Sequence, residues 1–395
     1  MINPHSSYVI SFSLALGMYW LGWSRLYPRI TNSLFTFLLL TVVIHLILSF
    51  YWRSKKVAVP KLINSFFNPI ATTIFIYVLW AADFIYEGGI PLLKILLSQP
   101  YNYRLFGVPS LHVFTVTFGS FFTIFLFSLY VSTRQRTYLY LYLINMLAAL
   151  LIYSRGMMMF NLVGSVFVYL LSSPSISWKQ FLAGLIALIC VSYFFGVLGT
   201  VRDSFEAKRN YDTNIFMDTG QASEAFRKSK IPDEFFWGYI YLSSPLANLQ
   251  QNINTFKVPP FSFSRLMQHL NNEMTFDFMS KRINRIWGVE REQERTLPNT
   301  PFNVSTVYSR SYSYQGWVGM FIMCVFILIV PWIYLQILPA NQYSLCGLAI
   351  LNTAYVFLMY DNTIRFTGLG LQLVYPFALP FAERAATWFQ KRLVS

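Results

Sequence analysis

The stretch TVRDSFEAKRNYDTNIFMDTGQASEAFRKSKIPDEFF, residues 200–236, opens a polar segment that runs on to Arg310 in a chain otherwise built of one apolar run after another. This segment is roughly 110 residues long. It carries 12 of the 16 acidic residues and 14 of the 30 Lys and Arg, so its own charge is only +2 while the whole chain carries +14. The remaining basic excess lies in the short connections between apolar runs. That division is the pattern of a membrane protein with one large extramembrane region.

Working outward, the composition agrees. The 395 residues are 55% hydrophobic, 19% aromatic and 12% charged, against about a quarter charged in soluble domains. Removing the polar segment leaves about 285 residues, room for roughly ten helices of about 20 residues each. The apolar runs are Ser7–Trp23, Thr31–Trp52, Asn68–Tyr86, Ser110–Val131, Tyr138–Tyr153, Met157–Leu171, Gln180–Gly199, Tyr314–Leu335, Tyr343–Tyr360 and Gly368–Ala382. The expected architecture is all-α and polytopic. Residues 1–199 hold seven membrane helices, 200–310 form the large loop with short helices, and 311–395 hold three more helices and the C-terminal tail. Cys190, Cys324 and Cys346 sit inside apolar runs without metal-site spacing, and read as core residues. The N-terminus lacks a signal-peptide pattern, so the first run reads as a retained helix.

Lys and Arg near the helix ends set an expected orientation. With the N-terminus cytoplasmic, the inner connections hold ten such residues and the short outer ones six. Both termini are then expected inside, with the loop outside, in the periplasm if the source is a Gram-negative bacterium. No basic tract or groove-reading motif points to nucleic acid. Within the loop, Ser262–Trp287 reads as one amphipathic helix, with Phe263, Leu266, Met267, Leu270, Met274 and Phe278 at helical spacing. It would lie on the membrane surface or pack on the bundle ends.

On this topology several polar residues collect on the outer side. Asp83 and Glu87 end the third helix, one turn apart, before Gly88 and Gly89 stop it. His112 begins the fourth helix, where the dipole favours a neutral imidazole able to accept a proton. Arg155 lies in the turn after the fifth, Arg202 and Asp203 end the seventh, Arg310 precedes the eighth, and Asp361 with Arg365 follows the ninth. Arginines at outer helix ends suit an anionic ligand, because the guanidinium fork binds phosphate oxygens bidentately. The plainer reading is that they anchor in lipid headgroups. His45, in mid-helix, reads as a neutral imidazole bonded to a neighbouring helix, and His269 as a surface or packing residue. Glu290, Glu292 and Glu294, interleaved with Arg291 and Arg295, read as a solvated face. Arg209 and Arg227 are each followed eleven positions on by a glycine, Gly220 and Gly238, a weak spacing signal. No metal set, phosphate-cradling loop or nucleophile elbow stands out, so no cofactor is expected.

Taken in order, Tyr86-Glu87-Gly88-Gly89-Ile90-Pro91-Leu92-Leu93, Phe106-Gly107-Val108-Pro109-Ser110-Leu111-His112, Tyr153-Ser154-Arg155-Gly156, Val201-Arg202-Asp203, Tyr241-Leu242-Ser243-Ser244-Pro245-Leu246-Ala247-Asn248 and the Gly316, Gly319 pair resemble the O-antigen polymerase (oligosaccharide repeat unit polymerase) family of bacterial inner membranes. The pieces are short, and their order and the helix layout carry the resemblance. One departure is that Tyr314 and Gln315 stand where family members often carry an acidic residue before the first glycine of the pair.

The resemblance implies a metal-independent membrane glycosyltransferase of the GT-C type. It would move a growing glycan from undecaprenyl pyrophosphate onto the next lipid-linked repeat unit, with membrane lipids as surroundings and a chain-length-regulating co-polymerase as partner. Arg155, Arg202 and Arg310 are then candidates to hold pyrophosphate, and His112, Asp203 or Glu87 to accept the acceptor's proton. Arg209, Tyr241 and Asn248 complete the expected substrate-binding set, with Trp237 and Tyr239 as further sugar platforms. An O-antigen ligase and a lipid-linked glycan transporter are the alternatives. Transporters commonly show broken helices and internal repeats, neither of which is evident in the sequence.

Overall fold

The computed structural model describes residues 2–52, 68–97, 99, 101, 106–173, 177–206, 209–298 and 300–394. All regular structure among them is helical, apart from one isolated bridge between Ser24 and Ala222. The first part of the chain forms α1 (Pro4–Trp20), α2 (Asn32–Trp52), α3 (Pro69–Tyr86), α4 (Pro91–Leu96), α5 (Leu111–Thr133), α6 (Arg136–Leu151), α7 (Arg155–Ser172) and α8 (Trp178–Glu206). The polar segment forms α9 (Asn214–Thr219), α10 (Glu224–Arg227), α11 (Phe235–Thr255), α12 (Phe263–Met274) and α13 (Asp277–Trp287). The chain closes with α14 (Val307–Ile337), α15 (Ser344–Phe357), α16 (Thr367–Gly370), a 3-10 turn (Leu371–Val374) and α17 (Tyr375–Val394).

Among the described residues, six helices are long and apolar enough to cross a membrane: α2, α3, α5, α7, α8 and α14. The helices α6 and α15 are apolar but shorter. This is a polytopic membrane protein by length and composition. Every residue from Ser344 to Tyr355 in α15 is buried, as expected for a helix that is apolar on all sides. It packs on α1, α5 and α7, which place it at the centre of the bundle. At the other extreme α8 is apolar and almost wholly exposed, packing chiefly on α11, which is the arrangement of a helix whose sides face lipid.

The helix starts are written in the chain. Asn3 caps α1 in a capping box with Ser6, Asn68 caps α3 ahead of Pro69, and Ser154, Ser262 and Thr306 cap α7, α12 and α14 through their side-chain oxygens. Two expectations need correction. The single amphipathic helix expected over Ser262–Trp287 is two helices. Thr275 is extended, its hydroxyl donates back to Asn271 O, and Asp277 N donates to Arg365 O at 3.1 Å, so tertiary contacts outcompete helix continuity there. Likewise, the eighth apolar run is part of a helix beginning at Val307 and broken at Gln315–Gly316. The break brings Ser311 O so near Gly319 that a Cβ there would lie 2.0 Å from it, which only glycine avoids.

The polar segment covers one end of the bundle. Ser24 Oγ, between α1 and α2, donates to Gly220 O at 2.7 Å, and Thr31 N donates to Gln250 Oε1 at 2.8 Å. Val307 N donates to Leu358 O at 2.9 Å, bringing in the connection after α15. Phe160 of α7 reaches Phe366 of that connection, and Tyr101 donates to Ile152 O at 3.2 Å just before α7. Chain turns distant in sequence are thus gathered into one polar layer.

Candidate functional site

The densest group of charges in this layer lies where α12 and α13 meet α14 and the 358–366 connection. Arg310, in the first turns of α14, reaches Asp361 at 2.7 Å and Glu294 at 3.3 Å. The Asp361 side chain is 48% exposed and Glu294 12%, so Arg310 bridges an outward carboxylate and an inward one. Arg291 holds the buried Glu273 at 2.8 Å, and Arg365 holds Asp277 at 2.6 Å. Arg265 pairs with Glu292 at 2.9 Å and donates to Tyr314 O and Ser313 O, carbonyls near the break in α14. His269 is buried, stacks on Tyr314, and shares a hydrogen bond with Ser311 Oγ at 3.0 Å.

Burial and charge act against each other here. Burial would push the Asp361 carboxyl up, but Arg310 and Arg291 pull it below the usual carboxylate range. For Glu294 burial dominates and the carboxyl is raised despite Arg310. Burial likewise opposes the charged form of Asp277, yet Lys281 and Arg365 hold its carboxyl low. His269 is pushed down to about 4 by burial, with Glu273 partly opposing the shift. The Glu273 Oε2, the Arg365 Nε and the His269 Nδ1 are buried without hydrogen-bond partners among the described residues.

A second group lies where α3 hands over to α5. Asp83 is buried, its Oδ2 lies 2.9 Å from His112 Nδ1, and its Oδ1 accepts from Val108 N at 2.9 Å. Glu87 Oε1 accepts from Gly107 N at 2.9 Å. The two carboxylates thus fix the turn that aims His112, and Gly107, at φ +91°, leaves no room for a Cβ beside the imidazole. Trp80 and Phe106 meet the ring edge-on. His112 is a quarter exposed, and its Nε2 makes no hydrogen bond among the described residues.

The other expected site residues lie apart from these two groups. Arg202 and Asp203, on α8 itself and not beyond it, pair with each other at 2.9 Å, and the guanidinium sits 5.5 Å over the Trp237 ring. Arg209 is exposed, 3.9 Å from Asp212. Tyr241 is partly exposed, edge-on to Phe195. Asn248 is fully buried and binds backbone on both sides of its amide, donating to Phe302 O and Val304 O and accepting from Leu297 N. Arg155 is the exposed first residue of α7, a position where a cation opposes the helix dipole.

Of the solvated face expected over Glu290–Arg295, only Glu290, Gln293 and Arg295 are exposed, while Arg291, Glu292 and Glu294 turn inward to partners. Their partners Arg265, Glu273 and Arg310 are remote in the chain, so charge spacing alone carried no sign of the contact. His45 behaves as expected, its Nδ1 3.0 Å from Nδ1 of His5 in the bundle interior, and Cys324 and Cys346 are buried while Cys190 is exposed. Among the described residues no three His, Cys, Asp or Glu side chains gather as a metal site. No family model matches the chain, and no curated protein or solved structure matches it.

Proposed function

We propose that this chain is a membrane-embedded glycosyltransferase that polymerises undecaprenyl-pyrophosphate-linked oligosaccharide repeat units at the periplasmic face of a bacterial inner membrane. In this reading α1, α2, α3, α5, α6, α7, α8, α14, α15 and α17 are the ten spans, both termini are cytoplasmic, and the polar layer faces the periplasm. The reading rests on the ordered resemblance to O-antigen polymerases. The observation that carries it furthest is the Asp83–His112 pair: a partly exposed imidazole whose Nδ1 side is held by a buried carboxylate, leaving Nε2 to take a proton.

The acceptor hydroxyl gives its proton to His112 Nε2 as its oxygen bonds to the anomeric carbon of the donor glycan. The bond from that carbon to the pyrophosphate oxygen breaks, and both electrons leave with undecaprenyl pyrophosphate. Asp83 stabilises the imidazolium that forms, in the manner of a carboxylate behind a catalytic histidine. Of the three candidate bases, Asp203 faces Arg202 and Glu87 already accepts a backbone N–H, which favours His112. Of the three expected cations for the departing charge, Arg310 is paired with Asp361 and Glu294 and Arg202 with Asp203, which favours Arg155. A co-polymerase would set chain length.

The test is surface polysaccharide resolved on a gel from a strain lacking the gene, complemented with wild type, His112→Ala or Arg155→Ala at matched protein level. Polymerisation predicts collapse of the ladder to core plus one repeat, restored by wild type and not by His112→Ala. A full ladder without the gene sinks the proposal. The break in α14 favours transport of a lipid-linked glycan as a second reading, since half-helix ends in membranes commonly bind ligands. Repeat units trapped on the cytoplasmic side in the deletion strain would select that reading.

A further inference from the structure

The pair α12 and α13 is built inside out. The fully buried residues of α12 are all polar, His269, Asn271, Asn272 and Glu273, and the one in α13 is Ser280. Asn271 donates to Asn284 Oδ1 at 2.8 Å, while Asn284 and Ser280 donate to Asn272 Oδ1 at 2.6 and 2.9 Å, so the two helices are joined through amides and a hydroxyl. Part of the apolar side-chain set points away: Phe263 is 69% exposed and Ile286 81%, with Phe261, Met279 and Trp287 also exposed, while Leu266, Met267, Leu270, Met274 and Ile283 are half-buried. A helix packed on a protein core in water does the reverse. An outward apolar face of this kind marks a surface that meets something other than water.

Its position identifies what that is. Arg265, two residues into α12 from Phe263, donates to Ser313 O and Tyr314 O, and Val258 lies against Gly316. From just beyond that level the outward residues of α14 are Val318, Phe321, Val325 and Ile329, all exposed and apolar. The start of α12 therefore stands at the depth where the lipid-facing surface of a membrane helix begins. On α13, Arg282 and Arg285 share the outward face with Phe278 and Ile286 by their three- and four-residue spacing, and Arg282 sits 6.0 Å over the Phe278 ring. The acidic residue of α13, Asp277, turns inward to Arg365. The outward face is thus apolar and basic together.

We propose that this face, Phe261, Phe263, Ile286 and Trp287 with Arg282 and Arg285, lies in the headgroup region of the bilayer and binds anionic lipid headgroups. The aromatic and aliphatic side chains enter the boundary with the acyl chains while the guanidinium groups bond lipid phosphate. The polar segment is then held to the membrane on its outer side and to the bundle by ion pairs on its inner side. This does not depend on the glycosyl-transfer reading.

The test uses the full chain in vesicles. Cys190 is replaced by serine, the buried Cys324 and Cys346 are left, and a nitroxide is attached at Phe263→Cys, Ile286→Cys or, as a control, Gln293→Cys. In phosphatidylcholine–phosphatidylglycerol vesicles, collisions with oxygen should exceed those with a water-soluble nickel chelate several-fold at positions 263 and 286, with the reverse at 293. Nickel-dominated relaxation at 263 and 286 overturns the proposal, and so does shielding from both reagents, the signature of a covering protein. The headgroup assignment is tested separately with the Ile286→Cys label. It should move towards water when Arg282 and Arg285 are both changed to Glu, or when phosphatidylglycerol is omitted; a label indifferent to both changes rules out anionic headgroup binding.

Discussion

The polar segment is attached to the bundle in two chemically opposite ways. Its first half, around α9 to α11, docks through an aromatic cluster. Phe216 stacks on Trp237 with ring centroids 3.5 Å apart, Phe226, Phe236 and Tyr239 pack beside them, and Trp23, Tyr27 and Phe195 from the bundle close over the group. Its second half, α12 and α13, is braced internally by Arg265–Glu292 and Arg291–Glu273 and docks through Arg365 to Asp277, Arg310 to Glu294, and Arg265 to the Ser313 and Tyr314 carbonyls of α14. Apolar docking follows area and is indifferent to pH, whereas buried ion pairs tie attachment to protonation and to the presence of both partners. The two halves should therefore open separately.

The largest effects test that separation. Phe236 is fully buried in the aromatic cluster, so Phe236→Ala should cost about 3–5 kcal/mol, through lost contacts and the cavity left. Arg310→Ala leaves the inward Glu294 without its ion-pair partner and Asp361 with only the more distant Arg291, and should cost about 3–5 kcal/mol as well. Hydrogen exchange tells them apart. The first should speed exchange of α11 amides and the second those of α12 and α13, and equal acceleration of both halves by either variant would show that they open as one unit.

The next effect is a pH dependence confined to the ionic half. With His269 held down to about 4 in the folded protein and 6.5 when unfolded, the unfolded state binds a proton first as pH falls. Stability is therefore lost as pH drops from 6.5 to about 4, on the order of 3 kcal/mol, and then levels off for this group. Asp277 and Asp361, held low, contribute above their unfolded value of 3.8 and lose that contribution only in stronger acid. Glu294 has the opposite sign: raised above 4.5, it binds its proton more readily in the folded state and offsets part of the loss. The opening free energy of α12, taken from exchange corrected for the intrinsic pH dependence of amide exchange, should fall between pH 6.5 and 4 in wild type. It should not fall in His269→Gln, where only the opposing Glu294 contribution is left, while that of α11 stays constant in both. An equal slope in the variant would remove His269 from the account.

The aromatic half and the ionic half were not equally legible in the sequence. Apolar runs announce membrane helices because the bilayer demands long uninterrupted hydrophobic stretches, and the run at Tyr343–Tyr360 lies over the observed α15. The turn chemistry at Asp83, Glu87 and His112 was legible as a group because chain order places all three at one end of adjacent helices. The split of Ser262–Trp287 was not, because a break stabilised by Arg365 O depends on a residue far along the chain. Glu292 and Glu294 looked solvent-facing for the same reason. The Gly316 and Gly319 pair was visible as a pair, but its cause, the approach of Ser311 O, exists only once the helix has broken.

The smallest expected effect marks the edge of the ionic half. Lys281 lies 2.7 Å from Asp277 and Arg365 2.6 Å, yet the lysine side chain is 73% exposed, whereas Arg365 on the same carboxylate is 6% exposed. Distance alone would rank the two contacts together. Solvent separates them, because water screens the lysine and compensates for its loss, while a carboxylate deprived of the buried arginine keeps no comparable partner. Lys281→Ala should change stability by about 0.5 kcal/mol or less and leave α13 exchange near wild type, while Arg365→Ala should release α13 by several-fold more. If the lysine variant proved as damaging as the arginine one, attachment would depend on total charge around Asp277, and the boundary drawn between buried clamp and solvated rim would fail.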